Sequence, residues 1–84
     1  MSLNHLRKEI DLIDDEILNL FLKRLGLCRK IGEIKLEKGI LIEDLDREKY
    51  ILNKMKKAAG EESPAAEKLF KEVIKICKNI QGRT

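Results

Sequence analysis

Residues 3–38 read LNHLRKEIDLIDDEILNLFLKRLGLCRKIGEIKLEK, and the apolar residues of this stretch are regularly spaced. They recur in alternating steps of three and four, which is the heptad spacing of a helix that packs along one side. The seam that they form consists of Leu3, Leu6, Ile10, Ile13, Ile17, Leu20, Leu27, Ile31 and Ile34. No proline interrupts the stretch, and Gly39 is the first residue that favours a helix end. The pattern therefore predicts one helix from about residue 4 to 38, roughly 50 Å long.

The rest of the chain predicts two shorter helices. Asp44 is a suitable N-cap for a second helix that ends near Gly60. Ser63 and Pro64 form a typical start for a third, with serine as the N-cap and proline at the first helical position. Aromatic residues make up only 4% of the 84 residues and there is one proline, which argues against a β-sandwich or barrel. We expect an all-α fold with one long and two shorter helices, in a single domain over residues 1–84.

The length of the first helix predicts an oligomer. A compact globule of 84 residues has a radius of gyration of about 12 Å, so a helix of roughly 50 Å overhangs it. Its apolar seam needs cover along nearly the whole length, and two short helices provide only part of that cover. We expect the same seam of a second copy to cover the rest, in an intertwined, two-fold symmetric homodimer. The alternative is a monomeric three-helix bundle with one frayed end of the long helix.

Composition excludes several classes of protein. The net charge of +3 is too small to indicate a polyanion as partner, and stacking aromatic residues are scarce, so a nucleic-acid binder is not expected. No apolar run is long enough to span a membrane, and no signal-peptide core begins the chain. Cys28 and Cys77 are the only cysteines, and their spacing indicates neither a metal cluster nor a disulfide framework. A reduced, cytoplasmic protein that needs no metal is the expectation.

Two cations on the first helix lack acidic neighbours. Arg24 lies on the seam itself, and the positions three and four residues away carry no acid. Lys35 flanks the seam and also has no local acid. One reading is a buried ion pair between Arg24 and an acid of the second helix, such as Asp44 or Glu48. The other is an anion pocket in which Arg24 and Lys35, about 16 Å apart along the axis, converge on the carboxylate of a ligand.

Several short motifs together resemble a known family. They are Arg7-x-x-Ile10-Asp11-x-Ile13-Asp14, then Arg24, Gly32 and Lys35, then Asp44-x-Asp46-Arg47-Glu48, and finally Gln81. In composition and spacing this set closely resembles the all-helical chorismate mutases, from about Leu6 to Gln81. The resemblance implies an intertwined dimer with two equivalent sites, which agrees with the dimer expected from helix length. It also implies chorismate as substrate and prephenate as product, in phenylalanine and tyrosine biosynthesis, with no cofactor.

The same resemblance implies a role for each matching residue. The expected catalytic residues are Lys35 and Gln81, which donate hydrogen bonds to the ether oxygen of the substrate, and Arg24, which holds one carboxylate. Arg7 is expected to hold the other carboxylate from the partner subunit, because seventeen residues separate it from Arg24, about 26 Å along one helix. The other substrate-binding residues implied are Asp44 and Glu48 at the ring hydroxyl, Arg47 near a carboxylate, and Cys77. Some relatives carry serine where this chain has Cys77, and a thiol is a weaker donor.

Two other functions remain open on the sequence. An isochorismate pyruvate lyase shares the fold and a similar set of cations, but the combination of Asp44, Arg47, Glu48 and Gln81 favours the mutase. A coiled-coil interaction module would account for the heptads. It would not account for Arg24 in the seam or for the charged cluster that begins the second helix.

Overall fold

The computed structural model describes residues 1–82 and is all-helical over that range. Helix α1 spans Leu3–Lys38, α2 spans Leu45–Ala59, and α3 spans Ser63–Gln81. A short 3-10 turn, Gly60–Glu62, joins α2 directly to α3. The predicted all-α class is confirmed. The boundary between the second and third helices is less distinct than predicted, because no non-helical residue separates them.

The ends of α1 follow from local capping. The Ser2 hydroxyl accepts a hydrogen bond from the His5 amide at 3.1 Å, which satisfies one of the first free N–H groups of the helix. Gly39 ends the helix in the left-handed conformation, with φ of 66°, where a side chain would be strained. Its amide points back to the carbonyls of Lys35 and Leu36. The predicted end of the long helix is therefore confirmed, and the chain reverses at this point.

Only one of the two predicted caps of the later helices is present. The Asp44 carboxylate accepts a hydrogen bond from the Arg47 amide at 3.0 Å, so Asp44 caps α2 as predicted. Ser63 was predicted to cap α3, and this is wrong. Ser63 is itself the first residue of α3, and its amide is already bonded to the carbonyl of Gly60 in the preceding 3-10 turn. The continuous helical path leaves no separate helix start for a serine to cap.

Within one chain, the helices pack together only at the C-terminal half of α1 and along α2 and α3. Helix α3 packs on the C-terminal half of α1, and α2 packs on α3 rather than on α1. The buried apolar residues in the described range are few: Cys28, Ile74, Cys77 and Ile80. The first twenty residues of the chain are all exposed, and the molecule measures 54 × 25 × 14 Å. Within residues 1–82, no helix combines the length and the apolarity needed to cross a membrane.

A disulfide bond joins α1 to α3. It links Cys28 and Cys77, whose Cα atoms are 5.5 Å apart, within the usual range for such a bond. The expectation of two reduced cysteines is therefore wrong. Sequence spacing did not show the pairing because the two residues are 49 positions apart and meet only where the helices cross. In the chain-entropy account, a cross-link over a loop of that length stabilises the fold by about 4 kcal/mol.

An ion-pair cluster links α2 to α3 near the 3-10 turn that joins these two helices. The carboxylate of Glu67 on α3 lies 2.7 Å from Lys56 Nζ on α2 and 3.1 Å from Lys71 Nζ on α3. Hydrogen bonds from Lys56 and Lys71, together with their positive charges, lower the pKa of Glu67 below its usual value near 4.5. A carboxyl whose pKa is lower in the folded state contributes stability above its unfolded pKa. That contribution is lost as the pH falls through the folded pKa.

Glu67→Gln is therefore expected to lower the melting temperature slightly at pH 7. The effect should be a few degrees or less, because exposed ion pairs contribute little. The difference from the unsubstituted protein should shrink between pH 7 and a strongly acidic pH, because the carboxylate becomes protonated as the pH falls through its lowered pKa. Thermal denaturation followed by circular dichroism at the two pH values measures this. Glu72→Gln, on the same helix, should show no such pH-dependent difference; an equal effect at both positions would contradict the assignment to this cluster.

Candidate active site

A cavity lies where the C-terminal half of α1, the start of α2 and the end of α3 meet. Its volume is about 390 Å³, which is in the range of pockets for small ligands. The predicted site residues on its wall are Arg24, Lys35, Asp44, Arg47, Glu48, Cys77 and Gln81. Helical geometry places them there: Arg24, Cys28 and Lys35 share one face of α1, and Cys77 and Gln81 share one face of α3. Arg24 and Lys35, which the sequence predicts to converge on one ligand, both line this cavity.

Lys35 is held by two contacts from distant parts of the chain. Its Nζ atom donates to the carbonyl of Ile42 at 2.7 Å and to Gln81 Oε1 at 3.0 Å. The reversal at Gly39 brings Ile42 back to this position. An ammonium group has three N–H donors, so these contacts fix the head group and leave one donor for a ligand oxygen. Lys35 is thus oriented before any ligand binds.

Gln81 is buried at the end of α3, with 6% of its surface exposed. Its Nε2 atom donates to Cys77 Sγ at 3.2 Å, one turn earlier in the helix. The residue lies against Gly32 of α1, where a Cβ atom would come within 2.8 Å of the Gln81 Cα and 2.9 Å of its carbonyl oxygen. The absence of a side chain at Gly32 therefore allows the end of α3 to approach α1 closely enough for Gln81 to reach Lys35.

Gly32→Ala is accordingly expected to damage the site although alanine favours helix. The gain in helix propensity is about 1 kcal/mol. The contact is with backbone atoms, however, so α3 must move away and take Gln81 with it. Turnover should fall by about tenfold or more, since small displacements of positioned groups are costly. Gly26→Ala is the matched control, because a Cβ atom there meets nothing within 4 Å in the described chain. Similar turnover in the two variants would show that the close approach is unimportant.

Arg24 and Arg47 make one side of the cavity strongly positive. Burial of Arg24 lowers the pKa of its guanidinium, and the nearby positive charge of Arg47 lowers it further. Arg24 Nη1 contacts Cys28 Sγ at 3.6 Å, and no acid of the described range forms a salt bridge with it. The reading of Arg24 as one half of a buried ion pair with Asp44 or Glu48 is therefore wrong. An anion bound between two guanidinium groups would relieve their repulsion.

Two further charged residues of the cavity, Arg47 and Glu48, each contact a neighbouring side chain. The guanidinium of Arg47 lies 5.2 Å from the centre of the Tyr50 ring, a cation–π contact that fixes its direction. Glu48 lies at the cavity wall, with its Oε2 atom buried and 3.3 Å from Lys78 Nζ. That ion pair lacks hydrogen-bond geometry, so Oε2 has no hydrogen-bond partner in the described part of the chain. The side chain of Asp44 is already used in capping α2.

Arg7 lies apart from the other predicted residues. It is exposed, near the start of α1, and does not line the cavity of its own chain. The structure therefore brings together seven of the eight predicted site residues and leaves Arg7 at a distance. This is the arrangement expected if Arg7 serves the site of another copy.

Several contributors to the cavity were not predicted, and Lys78 and the carbonyl of Ile42 are two of them. Lys78 pairs with Glu48 and with Glu43, at 3.3 and 3.6 Å. Its position three residues before Gln81 on the same helix was a signal that could have indicated it. The carbonyl of Ile42 was not detectable from residue type, because any residue supplies a backbone carbonyl.

The fold and the cavity define an all-helical protein with a small-ligand cavity whose wall carries two arginines and two lysines. Residues 6–82 match the family model described as chorismate mutase type II, and the chain belongs to that family. It is 38% identical over 83 residues to a chorismate mutase of Methanocaldococcus jannaschii, a match that covers 95% of this chain and 84% of the relative.

Two further relatives extend the comparison. The chain is 38% identical over 88 residues to a bifunctional chorismate mutase/prephenate dehydratase of Aquifex aeolicus; the match covers 98% of this chain but only 24% of that protein. A solved structure, a conserved hypothetical protein from Pyrococcus furiosus, superposes with a TM-score of 0.80 at 39% identity. That superposition covers 94% of this chain and 93% of the other.

Proposed function

We propose that residues 1–84 form one chorismate mutase domain that converts chorismate to prephenate for phenylalanine and tyrosine biosynthesis. The observation that carries this proposal is the Lys35–Gln81 pair, held at 3.0 Å beside Arg24 in one cavity. The rearrangement is concerted and intramolecular: the bond from the ether oxygen to the ring breaks while a carbon–carbon bond forms. It requires positioning and charge stabilisation rather than a nucleophile or a proton transfer.

Lys35 and Gln81 are assigned to the ether oxygen. Negative charge develops there as the carbon–oxygen bond breaks, and fixed donors aimed at it stabilise the transition state more than the ground state. The free donor of the Lys35 ammonium and an N–H of the Gln81 carboxamide supply these hydrogen bonds. Because the surrounding contacts already orient both groups, little reorganisation is needed during the reaction.

The other charged residues are assigned to holding the folded conformer of the substrate. Arg24, supported by Arg47, binds one carboxylate, and Arg7 of the partner subunit binds the second. The buried oxygen of Glu48, with the backbone at Asp44, accepts from the ring hydroxyl. Cys77 lines the cavity through a disulfide sulfur, which has no S–H to donate, so its contact with substrate is limited to packing. Positioning of this kind lowers a barrier by several kcal/mol.

The working unit in this proposal is an intertwined homodimer. Apolar seam residues of α1 remain largely exposed in one chain, from 40% at Leu6 to 64% at Leu20. The radius of gyration is 15.9 Å, well above the roughly 12 Å of a compact chain this long. A second copy is the simplest cover for a surface of this size. Sedimentation should therefore report a dimer; a stable, active monomer would contradict the shared site.

The pH profile follows from the chemistry of the donors. An amide such as that of Gln81 does not titrate, and an arginine keeps its charge throughout the physiological range. We expect turnover to stay nearly flat across neutral pH and to decline only in the alkaline range, where lysine side chains lose their proton. Initial rates measured from pH 5 to 10 test this. A bell-shaped profile centred on acid pH would contradict the assignment of a neutral amide as donor.

The proposed function is tested by mixing the protein with chorismate and following the loss of chorismate absorbance, then assaying prephenate. Formation of prephenate supports the proposal. Pyruvate release from isochorismate, with no reaction of chorismate, would instead assign the lyase activity. A cytoplasmic location is part of the same proposal, and disulfides are known inside the cells of some hyperthermophiles.

A further inference from the structure

We propose that the Cys28–Cys77 disulfide is a positioning element of the site, so that its reduction lowers catalytic activity. The activity readout rests on the proposed function. Both sulfurs touch groups assigned to the substrate: Cys28 Sγ contacts Arg24 Nη1 at 3.6 Å, and Cys77 Sγ accepts from Gln81 Nε2 at 3.2 Å. The bond therefore connects two of the three expected catalytic side chains through one buried unit.

The contact between α1 and α3 includes two layers that lie one helical turn apart. In the first, Cys28 meets Cys77 through the disulfide. In the second, four residues later on each helix, Gly32 meets the backbone of Gln81. Cys28 is 2% exposed and Cys77 is 9% exposed, and a Cβ atom at Gly32 would already collide with Gln81, so the two helices are closely packed in both layers. A change of spacing in the first layer is transmitted to the second, and from there to the hydrogen bond between Gln81 and Lys35.

Reduction changes that spacing. Bonded sulfur atoms are about 2.05 Å apart, whereas heavy atoms without a bond prefer about 3.5–4 Å. Two thiols at this crossing must therefore push the end of α3 away from α1 or turn to other rotamers. Either movement takes the sulfur acceptors away from Arg24 and Gln81. Gln81 is the last residue of α3, where the helix has the fewest other restraints.

The chemistry is an ordinary thiol–disulfide exchange with a dithiol reductant. A thiolate of the dithiol attacks one sulfur of the bond, and the electron pair of the S–S bond leaves on the other sulfur, which is then protonated. The second thiol of the reductant then attacks the reductant sulfur of the mixed disulfide, and the second protein sulfur leaves with the electron pair of that bond and is protonated. The protein gains two thiols and the reductant becomes a cyclic disulfide. Cys28 and Cys77 both line the cavity, so the cavity offers the route of attack.

The test compares oxidised protein with protein reduced by dithiothreitol, with thiols counted in denaturant. At a temperature where circular dichroism shows both forms fully folded, kcat/KM for chorismate should fall about ten- to a hundredfold on reduction, mainly through kcat. Reoxidation should restore it. The double variant Cys28→Ser/Cys77→Ser should resemble the reduced form and should not respond to dithiothreitol.

A second measurement does not depend on the proposed function. Amide hydrogen exchange of residues 78–82 should be faster in the reduced form, while exchange in α2 stays the same. Equal kcat/KM in both forms, or a protein that cannot be oxidised from two thiols, would overturn the proposal. If neither form acts on chorismate, the proposed function fails. In that case hydrogen exchange alone tests the positioning role of the disulfide. Faster exchange at residues 78–82 in the reduced form supports that role, and equal exchange in the two forms overturns it.

Discussion

Lys35→Ala is expected to lower kcat/KM for chorismate about a thousandfold, the upper end of the effect of removing one donor from a developing oxyanion. The substitution removes the charge assigned to the ether oxygen. It also removes the partner of Gln81 Oε1 and of the Ile42 carbonyl, so Gln81 loses its orientation at the same time. The loss should appear mainly in kcat, because the contact with the ether oxygen is strongest in the transition state.

Steady-state kinetics on chorismate, with Lys23→Ala as matched control, test this prediction. Lys23 is an exposed lysine on the same helix and does not line the cavity. Its replacement should leave the kinetics unchanged, whereas Arg24→Ala should lower turnover strongly, as Lys35→Ala does. Equal effects of all three substitutions would show that the cavity has no special role for Arg24 and Lys35.

Arg7→Ala is expected to lower kcat/KM about a hundredfold, as loss of a hydrogen-bonded charge pair with a substrate carboxylate costs about 2–3 kcal/mol. This is a large effect for a residue that is exposed in its own chain and far from the cavity of that chain. Most of the loss should appear in KM, because the carboxylate is bound in the ground state as well as in the transition state.

The neighbouring Lys8 provides the control for Arg7. It is also exposed at the start of α1, and Lys8→Ala should have little effect on kcat/KM. Circular dichroism and sedimentation of both variants separate a binding defect from a loss of the dimer. Full activity of Arg7→Ala would mean that the site is completed by other residues.

The sequence was sufficient to predict much of the fold. Heptad spacing and Gly39 placed the long helix within a residue at each end, and Asp44 was identified as a cap, because these signals are local. The prediction that Ser63 caps α3 was wrong because it does not depend on a local signal alone. Whether a serine caps a helix depends on the path of the preceding residues, and here a 3-10 turn runs directly into α3.

The site was predictable in its residue types and less so in its contacts. A cation in an apolar seam with no acid nearby is a sign that an anion must come from elsewhere, and this identified Arg24. The disulfide could not be predicted from spacing, because cysteines 49 residues apart meet only after two helices cross. The role of Gly32 likewise depends on the closeness of Gln81, which is a property of tertiary packing.

In the proposed dimer, each site combines the cavity of one chain with Arg7 of the other. Mixing Arg7→Ala protein with Lys35→Ala protein, after dissociation and reassembly, tests it most directly. Random pairing yields mixed dimers in which one of the two sites carries both native residues. The mixture should then recover about a quarter of the activity of the unsubstituted protein on chorismate, as two-fold symmetry of shared sites requires. Activity no higher than the average of the two separate variants would contradict a site shared between subunits.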